Sequence, residues 1–316
     1  MNSVVVTKKC KNTKKHKGIS QNNRKIERQS YLMLAPQLIG FLVFSIYPIL
    51  WVFRYSFYDY DGVNATFIGF DNFVRVFTSD SAYWKSILNT IIISYGKLII
   101  ELPLALITAL ILGNKAIKIK KVFSLGFYLP RITGTAVNCL IFAFLFATFN
   151  GPINNALTDF GIISEAINWF GSKWTAMLVI IIESMWSGFA ANVLYFMAGV
   201  SNISDDVMEA AKVDGAGRFA TFFKITLPML APIIRIVLML AMVDGMKIMN
   251  EVLLLTNGGP GDGTNVVMLQ IYKMFFVSGE SPQYGYASAL GVVTTFIIGI
   301  LTFIYLKVSK KAEQVG

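Results

Sequence analysis

Charged side chains stand inside stretches of this chain that are otherwise apolar, and their spacing is the first chemical clue. Lys97 and Glu101 are four residues apart, Glu183 stands alone, and Asp244, Lys247 and Glu251 fall at i, i+3 and i+7. On a continuous helix that last spacing sets all three on one face. A charge at the centre of a bilayer costs about 2.5–3.5 kcal/mol on insertion scales, so it must be paired or must face water. Two chemistries follow: neutralisation between helices, or contact with a polar solute in a water-filled path. Lys97 with Glu101 is expected to be a structural ion pair, while Asp244 with Lys247 is open to both readings. Glu183, Asp244 and Glu251 are also the residue types that a proton relay requires. Catalysis is not expected. The one histidine, His16, lies in a basic tail, and no nucleophile–base or His-Glu-x-x-His set is present. The Met-rich stretch 239–249 has neither histidine nor cysteine to make a metal site.

A second cluster lies in EAAKVDGAGRFATFFKITLP, Glu209 to Pro228, a charged and glycine-bearing segment between two apolar runs. Ser204, Asp205 and Asp206 supply a cap and acids for the positive end of a short helix, and Asp206 with Glu209 has capping-box spacing. Asp214-Gly215-Ala216-Gly217 then breaks that helix, with Gly215 suited to a positive φ. A second segment follows through Phe219, Phe222, Phe223 and Ile225, and Leu227-Pro228 is expected to end it. Small Ala210 and Ala211 beside a glycine turn let another backbone approach closely, which is the surface of a docking element.

The elements that hold these residues follow from composition. The 316 residues are 55% apolar and only 15% charged, too little charge to wet the surface of a soluble domain of this length. An all-α integral membrane protein with six transmembrane helices is expected. Six stretches approach the roughly 20 apolar residues that cross a bilayer core, at 31–53, 86–112, 122–149, 174–199, 230–256 and 284–306. The first run is too long and too proline-interrupted for a cleavable signal and reads as a retained anchor. Residues 1–30 form a basic cytoplasmic tail with too little apolar surface to fold alone, and 307–316 form a second short tail. The loop 200–229 carries the docking segment within a 31–306 spanning domain. Cys10 lies in the tail and Cys139 in an apolar run, so no disulfide between them is expected.

The net charge of +10 does not signal nucleic acid, because the basic residues gather at the ends of apolar runs. The N-terminal tail holds nine lysines and arginines, 113–121 four, 200–229 three and the C-terminal tail three, against five in the intervening loops and their edges. The positive-inside rule then sets both termini and the docking segment in the cytoplasm. Trp51, Trp84, Trp169 and Trp174 fall near the opposite ends of the spans, where an aromatic belt belongs, while Trp186 lies deep in a span.

Glu209, Ala210, Ala211, Gly215, Ile225, Leu227 and Pro228 occupy, without a mismatch, the cytoplasmic-loop signature of permease subunits in binding-protein-dependent ABC importers, which this chain resembles. YLMLAPQLIGFLVFSIYPILWVFRYSF, IGFDNFVRVF, LLLTNGGPGDGT and YGYASALGVV are similar to the carbohydrate-uptake branch, of maltose and glycerol-3-phosphate permease type. Phe44 to Pro48 carry its Phe-x-x-Tyr-Pro pattern. The resemblance covers about 31–306 and implies a type I ABC importer permease fold with a cytoplasmic coupling helix. It implies that Glu209, Ala210, Ala211, Asp214, Gly215, Ile225, Leu227 and Pro228 couple to a separate ATPase. It implies a pathway lined by Ser184, Ser187, Gly188 and Ala191 in the fourth span and by Ala241, Asp244 and Gly245 in the fifth. Trp186, Asn192, Lys247 and Glu251 are added as neighbours, with Trp186 offering an aromatic face and Asp244 an acceptor for sugar hydroxyls. Alanines at two expected polar positions depart from the family pattern.

The implied partners are a second homologous permease, two ATPase subunits, an extracellular solute-binding protein and lipid, with no nucleic acid, in a bacterial inner or plasma membrane. No Gly-x4-Gly-Lys-[Ser/Thr] occurs here, so ATP and magnesium belong to the partner ATPase and no cofactor or metal is expected in this subunit. The implied function is import of a sugar or oligosaccharide, without catalysis. The alternatives are a charged solute such as glycerol-3-phosphate, and a proton-coupled secondary transporter.

Overall fold

The computed structural model describes residues 29–113, 126, 131–277 and 282–315, with side chains to 310. The basic tail with Cys10 and His16, and the loop 114–121, lie outside the described residues. The chain divides into two units, 1–55 and 56–316, which are taken separately.

The first unit holds α1, Gln29–Tyr55. Pro48 has no N–H, and its ring crowds the carbonyl four residues back. The helix absorbs this with a π-helical segment, Leu42–Ile46, in which the N–H of Tyr47 donates to the carbonyl of Leu42. The same device recurs in the second unit. Ahead of Pro228 lies a second π segment, Phe222–Thr226, with the N–H of Leu227 donating to the carbonyl of Phe222. Leu227-Pro228 therefore does not end the segment, contrary to expectation. Arg218–Gly245 runs through both residues as one apolar 28-residue helix.

The second unit opens with a hairpin, β1 Tyr58–Tyr60 and β2 Ala65–Phe67, antiparallel with Asp59 opposite Thr66. In its turn Asp61 accepts the backbone N–H groups of Val63 and Asn64 at 2.8 and 2.6 Å, which lowers its carboxyl pKa. There follow α2 (Asp71–Thr78), α3 (Ser81–Gly113), α4 (Thr135–Leu145), α5 (Pro152–Asp159), α6 (Lys173–Ser201), α7 (Asp205–Val213) and α8 (Arg218–Gly245). The chain closes with α9 (Asn250–Leu255), α10 (Val267–Phe276) and α11 (Tyr284–Val315). The main seam runs between α3 and α6, where Ala105, Ala109 and Leu112 pack on Val193 and Phe196, with Val237 of α8 alongside. A second core joins Ile93 to Met177, Ile180 and Val252, and a third joins Val76, Tyr83 and Ile87 to Val267 and Leu290.

Among the described residues five helices are long and apolar enough to cross a bilayer: α1, α3, α6, α8 and α11. The expected third span, 122–149, falls partly outside the described residues. Its described part contains α4, only 11 residues long, which starts after Gly134 at φ +80°. The expected fifth span, 230–256, is corrected. Its helix starts earlier, at Arg218, and stops at Gly245, where the last turn tightens to bonds from Lys247 N–H to the Asp244 carbonyl and from Ile248 N–H to the Gly245 carbonyl. A Cβ on Gly245 would stand 3.0 Å from the Ser94 Cβ, so this end of the helix lies close against α3. Asp244, Lys247 and Glu251 thus do not share one continuous helix.

Gly285 offers a test of the hairpin's seat. Any Cβ there would overlap the Tyr58 carbonyl oxygen, whereas a Cβ on Gly291, two turns along α11, meets nothing within 4 Å. Gly285→Ala is expected to cost about 1–3 kcal/mol by overpacking, and Gly291→Ala to be neutral or slightly stabilising. Thermal unfolding in detergent reads the difference, and equal melting temperatures for the two variants would refute this packing.

Candidate functional site

Three polar recesses of about 180, 380 and 240 Å³ share Lys97 and Asp244 in their walls. α3 contributes Ser94 and Lys97. α6 contributes Ser184, Ser187, Gly188, Ala191 and Asn192 on successive turns. α8 ends in Ala241, Asp244 and Gly245, the break after it supplies Lys247, and Glu251 comes from α9. Ten of the eleven expected pathway residues therefore line connected space. Trp186 is the exception: it is 53% exposed and lines none of the three recesses. The aromatic ring in the walls is Tyr195. Arg131 and Asn138 also line the space and were missed, although a charge at 131 inside an expected span was a legible signal.

The charges sort into two kinds. Lys97 and Glu101 form an i, i+4 ion pair at 3.7 Å, as expected, with the Glu101 side chain fully buried. Asn192 donates to the other Glu101 oxygen at 2.6 Å, and Gly188 leaves room for the pair, since a Cβ there would come within 2.7 Å of Glu101 and 3.0 Å of Lys97. A second buried carboxylate, Glu183, accepts from Ser187 at 2.8 Å. Asn138 donates to Ser187 at 3.1 Å and accepts from Thr133 at 2.7 Å, so a polar chain ties α4 to α6. Asp244 and Lys247 behave differently. Both are exposed to the recess, and among the described residues they make no ion pair with each other. The structural-pair reading of Asp244 with Lys247 is thereby corrected. The break after Gly245 turns Lys247 off the helix face that would have brought them together.

The second cluster is an exposed helix–turn–helix. α7 carries Glu209 and Ala210 outward, but Ala211 is buried, so only one of the two alanines is at the surface. Ser204, not Asp206, is the N-cap, so Asp206 and Glu209 both lie inside the helix and do not form the expected capping box; the Ser204 side chain makes no capping bond. The C-terminus is closed in full. Gly215 sits at φ +74°, its N–H donates to the Lys212 carbonyl at 3.1 Å, and Ala216 N–H donates to the Ala211 carbonyl at 2.9 Å. That is a Schellman closure, which places Asp214 at the cap and requires the glycine beyond it. Ile225 and Leu227 are half-buried and Pro228 exposed along the start of α8, with Phe219 and Phe223 exposed beside them.

A membrane protein of spanning helices around a polar path, with an exposed helix at one end, defines a transport subunit. The chain belongs to the family of binding-protein-dependent transport system inner membrane components, whose match spans residues 101–313. It is 36% identical over 294 residues to the probable ABC transporter permease protein YesP of Bacillus subtilis (strain 168), covering 92% of this chain and 93% of that one. It is 30% identical to the arabinooligosaccharides transport system permease protein AraP of the same organism, over 90% of each. The fold is shared with a chain of a bacterial alginate ABC transporter solved in complex with an alginate pentasaccharide-bound periplasmic protein. That likeness has a TM-score of 0.80 at 23% identity and covers 92% of this chain and 97% of the other. The chain is thus an ABC importer permease of the membrane, a transport subunit and not an enzyme.

Burial separates the two kinds of charge experimentally. Lys97→Met leaves Glu101 buried without its cation and is expected to cost about 3–5 kcal/mol, with much of that recovered in Lys97→Met/Glu101→Leu. Asp244→Asn removes an exposed charge and is expected to stay within about 0.5 kcal/mol of the parent. Thermal melting of the three variants in detergent is the measurement. A large loss of stability for Asp244→Asn would mean that it is paired after all.

Proposed function

We propose that this chain forms half of the path by which an ATP-driven importer carries a sugar or oligosaccharide across a bacterial inner membrane. The observation that carries this is the shared recess. Hydroxyls and amides of Ser184, Ser187, Asn138 and Asn192 surround Asp244, with Tyr195 beside them, which is the donor, acceptor and ring set that a polyhydroxylated solute needs. The relatives support it, since AraP is named for arabinooligosaccharides. The rest of the assembly is a second homologous permease, two ATPase subunits that hold ATP and magnesium, and a solute-binding protein outside. In this reading 1–30 and 307–316 are cytoplasmic tails flanking a 31–306 permease domain, and 200–229 is the coupling loop.

In that loop Glu209, Ala210 and the Schellman turn at Gly215 enter a cleft in the ATPase, and Ala211 holds α7 to its own chain. Closure of the ATPases moves α7, and α7 is followed by the helix that ends at Asp244. A push at one end is delivered to the recess at the other. An anionic solute is a second reading with one observation behind it: Lys97, Arg131 and Lys247 all line the recesses. Competition of uptake by neutral against carboxylated oligosaccharides separates the two.

Gly215→Val tests the coupling. A side chain at φ +74° costs roughly 1–2 kcal/mol, yet within the chain a Cβ there touches nothing within 4 Å. The variant is therefore expected to insert and to pair with its partner permease. It is expected to lose ATPase co-purification, or to lose the coupling of hydrolysis to uptake in liposomes. Wild-type retention, stimulation and uptake in both Gly215→Val and Glu209→Lys would refute the docking role. Sidedness is checked apart from this, after replacing Cys10 and Cys139. Val63→Cys is expected to react with an impermeant thiol reagent in whole cells, and Ile119→Cys to be protected. The reverse pattern would invert the topology.

A further inference from the structure

The segment 54–85 lies between the first two apolar runs of the sequence, yet the structure gives it an apolar surface of its own. α2 turns Asn72 and Val76 inward. Asn72 donates to the carbonyls of Ser56 and Tyr58 at 3.0 and 2.9 Å, and Val76 is fully buried against Tyr83 and Ile87. The opposite face carries Phe70, Val74 and Phe77, at i, i+4 and i+7, each more than half exposed. Its polar flank is held elsewhere: Arg75 lies over the Tyr286 ring at 3.9 Å and donates to Gln283 at 2.8 Å.

Depth and continuity say what covers the apolar face. α3 has 33 residues, about 50 Å at 1.5 Å per residue, against a bilayer core of about 30 Å. The apolar stretch of α3 begins at about residue 86, so Ile87 stands at its edge and Tyr83 about one turn outside it. α2 packs on those two residues and therefore lies at the level of the headgroups. The apolar surface is also unbroken. The Phe77 ring meets that of Trp84 at 5.7 Å, and the Trp84 Nε1 donates to the Val76 carbonyl at 3.0 Å. Trp84 in turn heads the exposed stripe of α3 that continues through Leu88, Tyr95 and Ile99.

We propose that α2 is an interfacial helix, with Phe70, Val74 and Phe77 inserted among the headgroups and upper acyl chains of the leaflet at that end of α3. The hairpin and the start of α11, tied to α2 through Asn72 and Arg75, are thereby held at a fixed height above the bilayer. The test places single spin labels through Phe70→Cys, Asp71→Cys, Val74→Cys, Phe77→Cys and Thr78→Cys in the full-length chain carrying Cys10→Ser and Cys139→Ala. The protein is reconstituted, with the subunits it retains, in vesicles of phosphatidylethanolamine and phosphatidylglycerol. Collision with oxygen, which partitions into lipid, is compared with collision with a water-soluble nickel chelate. Labels at 70, 74 and 77 are expected to meet oxygen several-fold more than nickel, and those at 71 and 78 the reverse. Nickel access at 70, 74 and 77 equal to that at 71 would overturn the proposal in favour of water. Exclusion of both reagents from those three positions would overturn it in favour of a protein contact.

Discussion

Glu101 is buried in the seam between α3 and α6, where no water solvates its charge, and the polar part of the structure is arranged around that constraint. Lys97, one turn away, supplies the counter-charge, Asn192 supplies a hydrogen bond, and Gly188 supplies the space. A buried carboxylate without these neighbours is strongly destabilising, so three residues of α6 and α3 are fixed relative to one another before any solute arrives. Lys97 also lines the recess, so the residue that neutralises the core helps to form the path. The apolar seam continues beyond it in small residues, Ala105 and Ala109, that let the two helices run close for most of their length.

Glu183 is also buried but has no ion pair among the described residues; it is linked through Ser187 and Asn138 to α4. α6 is thus tied by buried carboxylates to a neighbour on each side. By contrast, the elements that end at the recess are the broken ones. α8 stops at Gly245, and the chain restarts at Asn250 in a six-residue helix. Asp244, Lys247 and Glu251 sit around that break. Asp244 and Lys247 are exposed to the recess and Glu251 is half-buried in its wall, while their neighbours in the seams are committed to holding helices together.

Proline shapes the two helices in which π segments occur. At Pro48 and at Pro228 the lost N–H is accommodated by a five-residue π segment whose last residue lies two positions before the proline. In α8 this allows one helix to run from beside the Gly215 turn to Asp244. A proline that stopped the helix would leave a hinge between the exposed helix–turn–helix and the recess. A continuous helix leaves a lever.

The sequence by itself determined the membrane class, the first, second, fourth and sixth apolar runs, the Lys97–Glu101 pair and the glycine turn after α7. These depend on local quantities: hydropathy over about 20 residues, i, i+4 spacing, and the cost of a side chain at positive φ. The signature from Glu209 to Pro228 marked the exposed helix–turn–helix for the same reason, being contiguous. Tertiary structure decided what depends on helices meeting. The end of α8 at Gly245, close against Ser94, takes Lys247 off the helix that carries Asp244, where an unbroken helix had paired them. The rotation of α6 sends Trp186 outward and Tyr195 to the recess, a distinction no window of sequence contains. Arg131, just ahead of α4, joined the site because the fold brings it beside residues of α3, α6 and α8. The amphipathic face of α2 became visible once Val76 was seated on α3, since eight residues in a loop carry no depth of their own.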